Sequence, residues 1–386
     1  MAHHHHHHQT QTPSQLLQSF TTRTTDYNQL INSVGINAIT PQQIQRIEKL
    51  SGKAPHHYLS RGVFLAEKSL DKFLDDVEAK KPTFIFIQKY PQKEVALEEY
   101  ITLEFARYLQ DAFNIQVIIQ ILDDIKVLNR EATINEASKM SNDLMKYILA
   151  FGFNEDKTFI YTDYQYFGKM YRTISLVEKA TAYNVVQPFF NFEYSDNIGK
   201  LASPSIMTAS MFSQSYSHFF SSPARCLVLD SIKNVQFHSI IDQIATTLNF
   251  IQPTVLFHKM VPLLSGVTKF DIPSDHNSIL LSDNAKQVER KINKLAFSGG
   301  RNTTEEHKKL GGQCDIDVSF QLLNIFSSDN AQVKDVEEKY SKGELLSGEL
   351  KKIVSASMKD FIVAYDAKKK PITTAYLKAY ISKTKF

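Results

Sequence analysis

A loop between residues 267 and 284, VTKFDIPSDHNSILLSDN, offers a lysine that could bind a phosphate group. The ammonium of Lys269 could attract phosphate oxygens as a point charge. Asp271 and Pro273 stand close to it, and Pro273 has no backbone N–H to donate to an anion. We therefore interpret Lys269 as a solvated loop lysine, with phosphate binding as the alternative.

Three other stretches contain residue types that occur in catalytic sites. His56 and His57 could serve as metal ligands or general bases, but adjacent residues of a strand point to opposite faces, so we expect a structural role. The serines of SMFSQSYSHFFSS lack the G-x-S-x-G turn of a nucleophile, and indicate a polar, aromatic-rich helix or interface. GGRNTTEEHKKLGG lacks the spacing of a phosphate-binding loop.

Composition narrows the class of protein. Residues 1–25 read as an expression tag, MAHHHHHH, followed by a mobile leader rich in Thr, Ser and Gln. Lys and Arg number 44 against 41 Asp and Glu, so a nucleic-acid surface would have to be local.

The two cysteines, Cys226 and Cys314, form no CxxC pair, which argues against disulfides and a zinc site. With no apolar run of membrane-spanning length, we expect a soluble cytoplasmic protein.

The last 46 residues are the candidate for such a local basic surface. They hold ten lysines against four acidic residues. A solvated helical face and an RNA contact both fit this pattern.

The elements predict an α/β protein with a helical C-terminal part. Residues 26–81 indicate short helices and a hairpin. Within 82–275, short apolar runs alternate with helices and predict a doubly wound, Rossmann-type parallel sheet; these runs are TFIFI, IQVIIQIL, TFIYTD, RCLVLDS and TVLFHKM. Residues 276–386 predict helices alone. Ligands of such sheets bind at the carboxyl ends of the strands, so the loops after TFIFI and TVLFHKM are the expected site.

The stretch KINKLAFSGGRNTTEEHKKLGGQCDIDVSF, residues 291–320, resembles the eukaryotic and archaeal type of cytosolic tryptophanyl-tRNA synthetase. RIEKLSGKAPHHYLSRGVF, LQDAFNIQVIIQILDD and SGELKKIV are similar to the same family in the same order. The resemblance implies a class I Rossmann-type domain, a helical anticodon-binding-like domain and a homodimer. It also implies activation of tryptophan with ATP and Mg²⁺ before tRNA charging.

Two nucleotide motifs of that family are degenerate here. The His-x-Gly-His positions, which donate hydrogen bonds to the triphosphate, become Leu97, Glu98, Glu99 and Tyr100. The Lys-Met-Ser-Ala-Ser positions become Lys269, Phe270, Asp271, Ile272 and Pro273. Glu98 and Glu99 also suit a helix N-terminus, where a negative charge interacts favourably with the helix dipole.

The amino-acid pocket of the family is altered as well. Its indole-binding Gln is retained as Gln120, and its Tyr becomes Phe86. The positions that hold the substrate ammonium become Ile125, Met207 and Asn234, and an acid beside them becomes Lys233. An ammonium buried here without partners would cost on the order of several kcal/mol.

These changes predict a non-catalytic homologue, a pseudoenzyme unable to bind ATP or tryptophan productively. We therefore expect no catalytic residues, no cofactor and no metal. The retained function would be binding of RNA, or of another protein through the family's dimer surface. The alternative is a divergent tryptophan–tRNA ligase or an adenylate-forming enzyme with another substrate.

Overall fold

A seven-stranded mixed sheet forms the centre of the fold in the computed structural model, which describes residues 26–266 and 273–384. The strands lie in the order β1-β2-β7-β6-β3-β4-β5. Their bounds are β1 Asn37–Ala38, β2 Phe64–Lys68, β3 Thr83–Lys89, β4 Gln116–Ile121, β5 Thr158–Thr162, β6 Arg225–Ser231 and β7 Thr254–His258.

Five of these strands are parallel, as the apolar runs predicted. β3 pairs in parallel with β4 and with β6, and β4–β5 and β6–β7 are also parallel. The N-terminal segment adds β1 and β2 as antiparallel strands at the β7 edge, and because two helices lie between them they do not form the expected hairpin. The carboxyl ends of the five parallel strands therefore share one edge, where a ligand site is expected.

Helices cover the sheet and make up the C-terminal part. In chain order they are α1 Tyr27–Val34, α2 Pro41–Ser51, α3 His57–Ser60, α4 Leu70–Glu78, α5 Glu99–Phe113, α6 Asp123–Leu128, α7 Ile134–Leu149, α8 Asp163–Ala180, α9 Tyr183–Phe190, α10 Ile198–Ala209, α11 Val235–Leu248, α12 Ala285–Leu295, α13 Thr304–Leu310, α14 Val318–Phe326, α15 Asn330–Ser341, α16 Ser347–Lys369 and α17 Thr374–Lys383. No described helix is both long and apolar enough to cross a bilayer.

Two apolar cores lie on the two faces of the sheet. Because strand side chains alternate, Ile85 and Ile87 of β3 face one core while Phe84 and Phe86 face the other. The first core continues into the helices after residue 285, so the helical part and the sheet share buried surface. The domain boundaries at residues 82 and 276 stay predictions.

The N-terminal segment differs from its expected form around the two histidines. Thr40 caps α2 and Pro41 is its first residue, as predicted. His56 and His57, expected on a strand, instead lie at the start of α3, where His56 Nδ1 accepts the N–H of Tyr58 at 3.0 Å. Each has a structural partner, since His57 Nε2 lies 3.0 Å from the carbonyl of Ile325.

The glycines of the stretch that carries the family resemblance are required by packing. A Cβ at Gly299 would lie 2.2 Å from the carbonyl oxygen of Gln313, and one at Gly311 would lie 1.8 Å from that of Ser341. Gly311 also has a φ of +79°, which favours glycine. This stretch therefore specifies the tight packing of α13, α14 and α15, whatever its role in RNA binding.

Candidate functional site

A cleft of about 290 Å³ lies at the carboxyl ends of β3, β6 and β7, where the sequence predicted a site. One wall is apolar and includes Phe189, Phe190 and Phe237. The polar lining includes Gln88, Lys89, Glu98, Glu99, Asp230, Lys233, Asn234 and His258. The cleft can therefore accept an aromatic group beside charged groups of both signs.

Glu99 is paired with a lysine of β3 at this cleft. Lys89 Nζ lies 2.5 Å from a carboxylate oxygen of Glu99 and 2.8 Å from the hydroxyl of Thr102. Burial by itself would raise the pKa of Glu99, but the Lys89 ammonium holds it below its ordinary value. Glu99 is also the first residue of α5, so the predicted preference for acid at this helix start is confirmed.

Glu98 faces the same cleft without such a close partner. Burial raises the pKa of Glu98 above its ordinary value, and the positive charge of Lys233 opposes that rise. The ammonium of Lys233 makes no hydrogen bond or short ion pair with another described residue. Lys233 is thus a cation at the cleft that could meet an anionic ligand group.

Gln120 is held by protein groups and turns away from the cleft. Its Nε2 donates to Asp163 Oδ1 at 2.7 Å, and its Oε1 accepts from Gln88 Nε2 at 3.0 Å. Gln88 also donates to the carbonyl of Met207 at 2.6 Å. The side chain of Gln120 is fully buried, and its Nε2 and Oε1 are both hydrogen-bonded within the protein.

The other altered pocket positions divide between core and cleft. Phe86 and Ile125 are buried and do not line the cleft, whereas Met207 does. Asn234 donates to Asp230 Oδ1 at 2.9 Å. Phe86 and Ile125 are therefore part of the core, while an open cleft remains beside Met207.

The remaining motif positions that the structure describes, Leu97, Tyr100 and Pro273, do not line the cleft. Leu97 is buried and its N–H donates to the carbonyl of Ile279 at 2.9 Å. Tyr100 packs against α16, its ring centre 4.7 Å from that of Phe361. Pro273 borders small cavities beside Ala96. Lys269, Phe270, Asp271 and Ile272 lie outside the described residues.

The serines that could have suggested a nucleophile are structural. Ser215 Oγ donates to the carbonyl of Ala209 at 2.6 Å, and Ser213 Oγ accepts the N–H of Ala224 at 3.0 Å. All these groups are buried. The predicted absence of a serine nucleophile is consistent with these contacts.

Sequence reasoning missed several residues that shape the cleft. Gln88, Lys89, Asp230 and His258 all lie at the ends of strands, which is the signal that could have found them. Asp230 is bound by the ring of His238 at 2.8 Å. Although burial opposes it, this pairing holds the pKa of Asp230 below its ordinary value, so the carboxylate stays charged.

His258 should make stability depend on pH. Burial lowers its pKa to about 4, and its Nδ1 bonds to the carbonyl of Lys259 at 2.8 Å. The unfolded chain binds the proton near pH 6.5, so stability falls as pH drops from about 6.5 to 4, by roughly 2–3 kcal/mol for this residue. Urea unfolding across this range should show a shallower pH slope in His258→Asn. The exposed His276→Asn is the matched control, and an equal slope in both variants would contradict the assignment.

The chain matches proteins of one family along nearly all of its length. The family described as tRNA synthetases class I (W and Y) matches residues 233–362. Human cytoplasmic tryptophan–tRNA ligase is 34% identical over 376 residues, covering 96% of this chain and 80% of the relative. The Saccharomyces cerevisiae protein of the same description is 33% identical, with 89% and 81% covered.

Solved structures give the same result. The crystal structure of Plasmodium falciparum tryptophanyl-tRNA synthetase superimposes with a TM-score of 0.86 at 35% identity. The match covers 92% of this chain and 97% of that chain. The α/β sheet and the helical C-terminal region are thus those of class I tryptophanyl-tRNA synthetases.

The prediction that the chain uses no cofactor is wrong. Its relatives are tryptophanyl-tRNA synthetases, which use ATP and Mg²⁺, and no feature of the described residues demonstrates that this use is lost. At the cleft, Lys233 could hold a phosphate group, whereas Glu98 and Glu99 add negative charge nearby. The identity and the coverage along the chain establish that it belongs to the cytosolic tryptophanyl-tRNA synthetase family.

Proposed function

We propose that this family member no longer activates tryptophan and acts by binding. The observation that carries the proposal is the position of Gln120, whose amide is bonded to Gln88 and Asp163 within the core. It is the retained polar residue of the expected indole site, and its Oε1, the acceptor that an indole N–H would need, already accepts from Gln88 at 3.0 Å. A tryptophan ring in the cleft would lack this hydrogen bond.

The ammonium of tryptophan would also lack its expected partners. Ile125 and Met207 offer no carboxylate or amide, and Asn234, whose Nδ2 donates to Asp230, offers a single amide oxygen. Lys233 adds a like charge at the same cleft, which also carries the carboxylates of Glu98, Glu99 and Asp230. Placing the ammonium beside a lysine without the acceptors of its expected positions is unfavourable by on the order of several kcal/mol.

Calorimetric titration with tryptophan tests this proposal. With ATP and Mg²⁺ supplied, we expect a Kd at least about 100-fold weaker than that of the Plasmodium falciparum synthetase, since roughly 3 kcal/mol of interaction is missing. Titration with an indole carboxylic acid that lacks the amine is the matched control. Tryptophan binding as tight as in the relative would refute the proposal.

The second candidate is an active enzyme with another substrate. The open cleft and the ammonium of Lys233, which has no ion-pair partner among the described residues, favour this candidate over a closed site. Pyrophosphate exchange with each of the common amino acids decides between the two. Exchange with any one of them identifies an active adenylate-forming enzyme, and its absence with all of them leaves the binding protein.

tRNA is the partner that we propose for the binding function. Support comes from the last 46 residues, in whose described part six lysines are exposed: Lys342, Lys352, Lys368, Lys370, Lys378 and Lys383. Phosphate contacts release counterions, so the logarithm of the binding constant for tRNA should fall linearly with the logarithm of the salt concentration. Binding to tRNA no tighter than to heparin would exclude specific recognition and leave a protein partner.

We also propose a homodimer in the cytoplasm, as the family suggests. Large apolar side chains are exposed in the segment that follows β5, namely Tyr164, Tyr171, Leu176, Tyr183, Val185, Tyr194 and Ile198. Such a concentration is typical of an interface. Light scattering should give twice the chain mass of 44.1 kDa, and Tyr171→Glu should lower it.

A further inference from the structure

Three buried aspartates meet at the carboxyl ends of two neighbouring strands. Asp123, Asp124 and Asp163 each offer a carboxylate oxygen, and these oxygens lie within 4.8 Å of one another. The side chains do not line the cleft, although Leu122, the residue before Asp123, does. The cluster is therefore a feature separate from the contacts described above.

The topology of the sheet brings these carboxylates together. Ile121 of β4 pairs with Thr162 of β5 in parallel register, so the residues that follow both strands emerge side by side. Asp123 is the first residue of α6 and Asp163 the first residue of α8. The contact between the two loops is thus fixed by strand pairing.

Protein N–H groups hold one oxygen of each carboxylate. Asp123 Oδ1 accepts the N–H of Asp124 at 2.9 Å and that of Tyr164 at 3.2 Å. Asp124 Oδ1 accepts the N–H of Ile125 at 2.8 Å. Asp163 Oδ1 accepts from Gln120. These bonds orient the three carboxylates toward one another.

Asp163 Oδ2 is the observation that points to a ligand. The residue is only 1% exposed, and this oxygen has no hydrogen-bond partner among the described residues. The carboxyl group of Asp124 lies within hydrogen-bonding reach of Asp163, and a contact between two carboxyl groups needs a proton or a cation between them. A buried carboxylate oxygen without a hydrogen-bond donor is stable only when it is protonated or when a cation lies beside it.

The charge of the cluster favours a cation. No lysine, arginine or histidine of the described residues forms a salt bridge with any of the three aspartates; the nearby Lys126 pairs with Glu131 instead. A single shared proton would leave a charge of about −2 on the three carboxylates, whereas a divalent cation would reduce it to about −1. Carboxylate oxygens are the ligands preferred by Mg²⁺, Mn²⁺ and Ca²⁺.

We propose that Asp123, Asp124 and Asp163 bind one hard divalent cation between β4 and β5. Such an ion links the starts of α6 and α8 and, through Gln120, the wall of the cleft. This site needs no nucleotide. It is thereby distinct from the Mg²⁺ that accompanies ATP in the family, and it does not depend on the proposed loss of activity.

Manganese binding to the full chain, without nucleotide, tests the proposal. Electron paramagnetic resonance of free Mn²⁺ should give one bound ion per chain, with affinity reduced at least tenfold in Asp163→Asn and in Asp124→Asn. The exposed Asp143→Asn is the matched control, because it removes one carboxylate and keeps the same histidine tag. Saturating Mn²⁺ should also raise the Tm of the wild-type chain by a few degrees more than that of Asp163→Asn.

Equal Mn²⁺ binding in wild type and Asp163→Asn would overturn the proposal, because the ion would then lie elsewhere. If Asp163→Asn does not fold, the comparison with Asp124→Asn decides in the same way. A wild-type chain whose Tm does not respond to Mn²⁺ would equally overturn it and would indicate protonated aspartates.

Discussion

Asp317→Ala is expected to lower the free energy of unfolding by about 3–5 kcal/mol, from the lost cap and the buried donors left unpaired. Asp317 is 1% exposed. It accepts the N–H of Phe320 at the start of α14 at 3.0 Å, the N–H of Gly299 at 2.8 Å and the hydroxyl of Tyr340 at 2.9 Å. Its removal leaves the N–H groups of Phe320 and Gly299 without this acceptor, and leaves the hydroxyl of Tyr340 with Ser347 Oγ at 2.9 Å.

Urea unfolding measures this loss, and Asp329→Ala is the matched control. Asp329 caps α15 by accepting the N–H of Gln332 at 3.0 Å, but it is exposed to solvent. Its loss should cost about 1 kcal/mol, since water can replace the cap. Equal losses in the two variants would show that Asp317 contributes only as a cap.

Lys291→Met is expected to lower the free energy of unfolding by about 3–5 kcal/mol, because it leaves a buried carboxylate without its ion-pair partner. The side chain of Lys291 is fully buried. Its ammonium lies 2.7 Å from Asp283, 2.9 Å from Asp275 and 2.9 Å from the carbonyl of Ser278. Asp283 has a side chain only 2% exposed, so it would lose its cation without gaining water.

Lys359→Met is the control for this variant. Lys359 pairs with Glu289 at 3.1 Å, and both side chains are substantially exposed. Pairs of that kind contribute about 0–1 kcal/mol. Thermal unfolding should therefore separate the two lysines clearly. A loss below about 1 kcal/mol for Lys291→Met would mean that Asp283 becomes protonated or hydrated at little cost.

Much of the fold was predictable because its signals are local. The apolar run TFIFI corresponds to β3, and Thr40 before Pro41 marks the start of α2. Strand β1 has only two residues, and its sequence shows no alternation of apolar and polar residues. Its pairing with β2 therefore depends on tertiary contacts. His56 and His57 illustrate the same limit, because the short α3 is stabilised by partners distant in sequence.

The site was predictable in position but only partly in composition. The carboxyl ends of β3 and β7 were the expected place, and the cleft lies there. The bond between Gln88 and Gln120 was not foreseen, although strand alternation and the register that pairs these residues contain the signal. Tyr100 was assigned to a nucleotide motif from alignment alone, and its contact with Phe361 required the helical part to be placed.

The aspartate cluster shows why motifs of residues close in sequence are insufficient to predict a binding site. Asp123 and Asp124 are adjacent in sequence, but Asp163 lies about one strand and two helices further along. Only the parallel pairing of β4 with β5 brings the third carboxylate to the first two. A search for cysteine and histidine spacing could not have found it.

Pyrophosphate exchange with tryptophan tests the proposed loss of activation most directly. The assay supplies tryptophan, ATP and Mg²⁺ at millimolar concentrations and uses the Plasmodium falciparum synthetase as the positive control. A missing ammonium site and missing hydrogen-bond donors together predict a rate at least about 10³-fold below that control. A rate within tenfold of the control would contradict the proposed loss and identify this chain as an active tryptophanyl-tRNA synthetase.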